Sequence, residues 1–148
     1  MTVPRDWGFG ISGFGIRQRN CSIEGMDQRQ SLGKRGEDLA CSELEKRGYV
    51  ILDRRFRTRR GEIDIVARDG GVLVFIEVRA RSGSNFGTPF ESVTWKKRQR
   101  LSRMAASYLY VRRLTTVACR FDVVAVVERQ GTQTIELLRG AFDMESLR

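Results

Sequence analysis

A chain of 148 residues without a single histidine excludes Ser-His and Cys-His nucleophiles, His-ligated zinc and any histidine general base. Lysine and arginine number 27 against 18 aspartates and glutamates, a formal net charge of +9 that favours a polyanion partner, nucleic acid before an anionic membrane surface. The length suits one domain, no apolar run approaches the roughly 20 residues of a membrane span, and no signal-peptide core is visible, so a soluble cytoplasmic protein is expected.

Residues 1–28 are rich in glycine and lack sustained periodicity, which predicts a disordered tail before a domain over 29–148. Met26 is a candidate native start. From Ser31 the chain reads as a helix closed by Gly48. Ala40, Cys41 and Leu44 form its apolar stripe with Glu37 at the centre, one turn before them. Glu37 is either an acid aligned with a buried face or a solvated first-turn acid complementing the helix dipole. The cysteines, Cys21, Cys41 and Cys119, are odd in number and far apart. They indicate neither a disulfide framework nor a cysteine zinc site, and Cys41 and Cys119 are expected in the core.

YVILDRRFR predicts a strand, and GEIDIVARDGGVLVFIEVRAR a hairpin. Gly70 and Gly71 suit a two-residue type I′ loop, whose central residues both need positive φ. Asp69 then pairs with Val72, and counting outward pairs Asp64 with Glu77 and Glu62 with Arg79; a bulge at the glycines would break this register. Alternation places Glu62, Asp64, Phe75, Glu77 and Arg79 on one face, and Ile63, Ile65, Val74, Ile76 and Val78 on a core face. Carboxylates directly opposed on a sheet repel, so a cation is expected between them, either a divalent metal or a nearby arginine. The alternative is a solvated strand face with ordinary surface charges.

A loop, RSGSNFGTP, leads to a second helix over about Phe90 to Arg113, with Leu101, Met104, Ala105, Tyr108 and Val111 at core spacing. Lys97 extends that line toward the N-terminus; Lys96, Gln99 and Arg103 fall opposite. CRFDVVAVVER predicts a strand buried on both faces, and TIELLRG a last short strand. Helix, three strands, helix and two strands make a mixed α/β sheet with a crossover helix.

The pattern Gly33-x-x-Gly36-Glu37-x-x-Ala40, Gly61-Glu62-Ile63-Asp64, Phe75-x-Glu77-Val78-Arg79-x-Arg81 and the basic helix around Lys97 resembles the bacterial YraN-like family. These are Holliday-junction-resolvase-like members of the PD-(D/E)XK nuclease superfamily, and the likeness spans about residues 31 to 128. The resemblance implies a restriction-endonuclease-like α-β-β-β-α-β core flanked by helices, Mg²⁺ or Mn²⁺ on Asp64 and Glu77, and Glu37 as a further acidic member of the site. Two positions depart from the superfamily pattern. Ile63 stands where proline is usual before the aspartate. Arg79 replaces the usual lysine; it can orient water or stabilise a charged phosphate but cannot act as general base.

Glu37, Asp64, Glu77 and Arg79 are thus the catalytic candidates. Arg54, Arg55, Arg57, Arg59, Arg60, Arg81, Lys96, Lys97 and Arg100 are candidates for nucleic-acid contacts. Trp95 and Phe86 are read first as packing residues and second as stacking platforms for unpaired bases. The expected function is metal-dependent cleavage of branched or structured DNA. The alternatives are a noncatalytic nucleic-acid-binding protein that keeps the fold, and a basic structural partner of an RNA assembly. DNA and a second copy of the chain, as a homodimer, are the candidate partners; a membrane is not.

Overall fold

A computed structural model describes residues 28–82 and 93–144. The expected tail up to residue 27, Met26, Cys21, Phe86 and most of the 81–89 loop lie outside these residues. The elements run α1 (Gln28–Lys46), β1 (Val50–Thr58), β2 (Gly61–Asp69), β3 (Val72–Ser82), α2 (Trp95–Val111), β4 (Ala118–Arg129) and β5 (Thr132–Phe142). The expected order of seven elements holds, with shifted boundaries. α1 starts before Ser31, β3 runs on through Arg81 and Ser82, and α2 begins at Trp95, where Thr94 caps it by accepting from Lys97 N–H.

The strands form one sheet in the order β1-β2-β3-β4-β5. β3 and β4 are parallel and joined through α2, and the other neighbours are antiparallel. Each face has its own core. Ala40, Cys41 and Leu44 of α1 pack on Ile65, Ala67, Val74, Ile76, Val124 and Val126. Leu101, Met104, Ala105 and Tyr108 of α2 pack on Ile63, Val66, Phe75, Phe121 and Val123. The face expected to carry the hairpin acids is therefore core as well, along most of its length. Among the core residues expected on α2, Val111 is the exception: it is exposed, because the helix ends there and Arg112 caps it.

The β2–β3 turn pairs Asp69 with Val72, the expected register. Only Gly70 has positive φ, 59°, so the turn has the pattern of type II′ rather than I′, in which only the first central residue needs that region. Paired register continues outward to Ile65–Ile76. At the next position, where Asp64 would face Glu77, Asp64 Oδ2 accepts the Val78 N–H at 2.8 Å. A side chain thus replaces a ladder carbonyl where the two strands separate. Across β1, the residue in register with Asp64 is Arg55, whose φ of 54° lies in the left-handed region at a cost of about 1 kcal/mol. Alternation fails at this point: Ile63 joins the α2 core while Ile65 joins the α1 core, correcting the expectation that both share a face.

Among the described residues, no helix is long and apolar enough to cross a membrane.

Candidate functional site

The gap that opens in the sheet at Asp64 is reached from both of its sides. Gly36 lets α1 approach from one side, since a Cβ there would lie 3.0 Å from Ala80 Cβ on β3. This close approach brings the next residue, Glu37, to the gap. Glu37 is buried and sits well inside a helix that starts at Gln28, so the solvated first-turn reading fails. Carboxylate oxygens of Glu37, Glu62 and Asp64 all lie within 4.8 Å of one another.

From the other side, Lys97 of α2 places its ammonium on Glu77 Oε1, and Arg79 Nε lies 3.5 Å from the same oxygen. Glu77 is buried and Lys97 nearly so. The stripe position of Lys97, in line with Leu101 and Met104, is what turns it inward.

Side-chain cations hold acids around the gap, though none of the three here lies between Asp64 and Glu77. Arg55 Nε donates to Glu37 Oε2 at 2.6 Å, Arg57 to Glu62, and Arg54 to Asp38. Among the described residues Asp64 receives a backbone N–H and no side-chain donor, and its charged form is opposed. Burial first, then the neighbouring charges of Glu77 and Glu37, push its carboxyl up to about 7 against the pull of the Val78 N–H and Lys97.

The remaining basic candidates separate by location. Arg60, Lys96 and Arg100 line an open groove of about 690 Å³ together with Trp95, Gln99 and Arg103. Arg59 is exposed beside the β1–β2 turn. Arg81 borders a small cleft with Arg35 and Leu39 of α1. Trp95 is 62% exposed, so it is not a core residue.

Sequence reasoning passed over Glu62 as a site residue, although the hairpin register already placed it on the face of Asp64. It also missed a second polar cluster at the far end of the sheet. There Asp122, 1% exposed, accepts from Tyr49 Oη, the Arg120 guanidinium and Gly140 N–H, while Arg120 also holds Asp69. Every oxygen of Asp122 has a protein donor, as a structural acid requires.

Fold and site together define a mixed α/β protein whose sheet opens on a carboxylate cluster beside a basic groove. The model of the Uncharacterised protein family UPF0102 matches residues 36–126. A UPF0102 protein of Moorella thermoacetica is 52% identical over 116 residues, covering 77% of this chain and 97% of that protein. Another from Syntrophus aciditrophicus is 43% identical over 119 residues, covering 80% and 94%. A third, from Acidothermus cellulolyticus, is 46% identical over 125 residues, covering 77% and 95%. The chain belongs to the UPF0102, or YraN-like, family.

Proposed function

We propose that the chain is a metal-dependent endonuclease of the PD-(D/E)XK kind, hydrolysing phosphodiester bonds in branched or structured DNA. The observation that carries this is the gap at Asp64, where carboxylate oxygens of Asp64, Glu37 and Glu62 lie within 4.8 Å of one another and Glu77 adds its charge from β3. A structural cluster would satisfy its acids as Asp122 is satisfied. Of these four acids Asp64 is the one that no side-chain cation among the described residues holds, and a crowded carboxylate of that kind is what a hard divalent ion relieves, so the donor set fits Mg²⁺ or Mn²⁺.

Asp64 and Glu77, with Glu37 and Glu62, would hold the ion. When bound it supplies Lewis-acid charge at the scissile phosphate and makes water more acidic. The chain's own cations have separate work. Lys97 and Arg79, fixed on Glu77, stabilise the charge that builds on the phosphate oxygens. Arg79 keeps its proton throughout, so it can orient the attacking water or stabilise phosphate charge but cannot serve as the base. Water attacks phosphorus, the bridging oxygen opposite leaves with the electron pair of its broken P–O bond, and the proton given up by the water reaches that oxygen through solvent.

Cleavage of junction, flap, single-stranded and duplex DNA in Mg²⁺ or Mn²⁺, against an EDTA control, tests the reading. Metal-dependent products that vanish in Asp64→Ala are expected. A second reading, a noncatalytic DNA-binding protein, is favoured by Arg79 and by the ion pairs that already neutralise Glu37, Glu62 and Glu77. Tight junction binding without cleavage, by both wild type and Arg79→Lys, would establish it instead.

A further inference from the structure

The groove beside the carboxylate cluster has a composition that duplex binding does not call for. Four cationic side chains, Arg60, Lys96, Arg100 and Arg103, surround a tryptophan that is 62% exposed, with Gln99 between them. Trp95 occupies the first turn of α2, held there by the Thr94 cap, so its indole is presented from a fixed backbone. Exposing most of an indole forgoes the gain of burying it, and among the described residues neither core cluster includes the ring at this solvent-facing position.

The groove adjoins the strand that carries Glu62 and Asp64 at its first residue. A Cβ on Gly61 would touch the Arg100 side chain at 3.4 Å, so Arg100 lies across the residue that precedes Glu62. A strand in the groove therefore runs past Gly61, the residue before Glu62.

We infer that this groove binds an unpaired DNA strand, with Trp95 stacking on a base and Arg60, Lys96, Arg100 and Arg103 contacting its phosphates. Bases in a duplex are stacked on each other and present no face to an indole, whereas each base of an open strand does. The inference rests on the DNA reading above and narrows it to structures with unpaired nucleotides next to the cleavage point, such as flaps and splayed junction arms.

The test is binding in EDTA, which separates it from catalysis. In a Trp7→Phe background Trp95 is the sole tryptophan. Titration with dT12 should quench its fluorescence, and a 12-base-pair duplex should quench it little. Trp95→Ala should lose about tenfold or more in dT12 affinity, the scale of one base–aromatic stack, with duplex affinity changed less than about twofold. Trp95→Phe should retain most of the dT12 affinity. Unchanged circular dichroism is expected for both, because the side chain is mostly solvent-exposed. Equal dT12 binding by wild type and Trp95→Ala, or equal losses on dT12 and duplex, would overturn the inference while leaving the nuclease reading standing. Failure to bind any DNA would overturn both. Tighter binding of rU12 than dT12 would overturn the assignment to DNA. Loss of cleavage alone, with the Trp95 effect intact, would sink only the nuclease reading.

Discussion

Replacing Asp64 by asparagine should stabilise the metal-free protein at neutral and alkaline pH while abolishing its response to metal. In the folded chain the Asp64 carboxyl holds its proton up to about pH 7, against an ordinary value of 3.8. Between those values the folded state binds more protons than the unfolded one, so this residue's contribution to stability falls as pH rises across the window and reaches its full cost above pH 7. At roughly 1.4 kcal/mol for each pH unit between the two values, the cost of ionised Asp64 at pH 8 is about 4 kcal/mol, at pH 5 less than half of that, and at pH 3 near zero.

Asparagine carries no charge at any of these values. Its Oδ1 can keep the Val78 N–H bond that Asp64 makes at 2.8 Å, and its amide faces the neighbouring carboxylates as a donor. Urea unfolding in EDTA from pH 4 to 8 should show Asp64→Asn gaining over wild type with pH, by about 4 kcal/mol at the top of the range. Added Mn²⁺ should stabilise wild type in proportion to the logarithm of its concentration above Kd and leave Asp64→Asn unmoved. A pH-independent gap, or an Asp64→Asn variant less stable than wild type at pH 8, would refute the argument that Asp64 is a buried acid crowded by other acids.

The companion substitutions read the other members of the site. Glu37→Gln preserves size and helix propensity and should weaken Mn²⁺ binding by about tenfold in calorimetry with the fold intact. Lys97→Met keeps the aliphatic stem but removes the ammonium from Glu77; it should lower cleavage by about 10²-fold while Mn²⁺ affinity holds or rises. Asp122→Ala would leave the buried part of Arg120 without its main partner, and should cost about 3–5 kcal/mol in urea unfolding without altering Mn²⁺ affinity per folded molecule.

Much of this was legible in the sequence because it follows from periodicities. The glycine pair fixed the Asp69–Val72 closure, and a period of 3.6 placed Glu37 with Ala40, Cys41 and Leu44, and Lys97 with Leu101 and Met104. What periodicity could not show was the place where it breaks. Ile63 and Ile65 are two apart, and only the left-handed Arg55 opposite Asp64, with the Val78 N–H diverted to a side chain, sends them to opposite cores. No local propensity marks that distortion; it depends on β1, β2 and β3 meeting. Asp122 was illegible for a similar reason. An aspartate in a run of valines gives no sign of Tyr49, Arg120 and Gly140, which reach it from distant segments.

Under the proposed function, the basic run from Arg54 to Arg60 would serve two demands that exclude each other. Arg55 and Arg57 hold Glu37 and Glu62, and a guanidinium engaged with a carboxylate is not available in the same geometry to a phosphate. Relieving the acids should therefore release arginines to DNA. Glu62→Gln should raise junction affinity measured in EDTA, and steepen its dependence on salt by roughly the value of one added phosphate contact. General loss of negative charge would do part of this on its own, so the decisive comparison is a double-mutant cycle with Arg57→Ala. If Arg57 is the group released, Glu62→Gln gains affinity in the wild-type background and little or none once Arg57 is gone. An equal gain in both backgrounds would mean that Glu62 acts through the field alone and that the ion pair restrains nothing. A positive coupling has a further consequence fixed by linkage: whatever factor Mn²⁺ adds to DNA affinity by competing for these carboxylates, DNA must add to Mn²⁺ affinity.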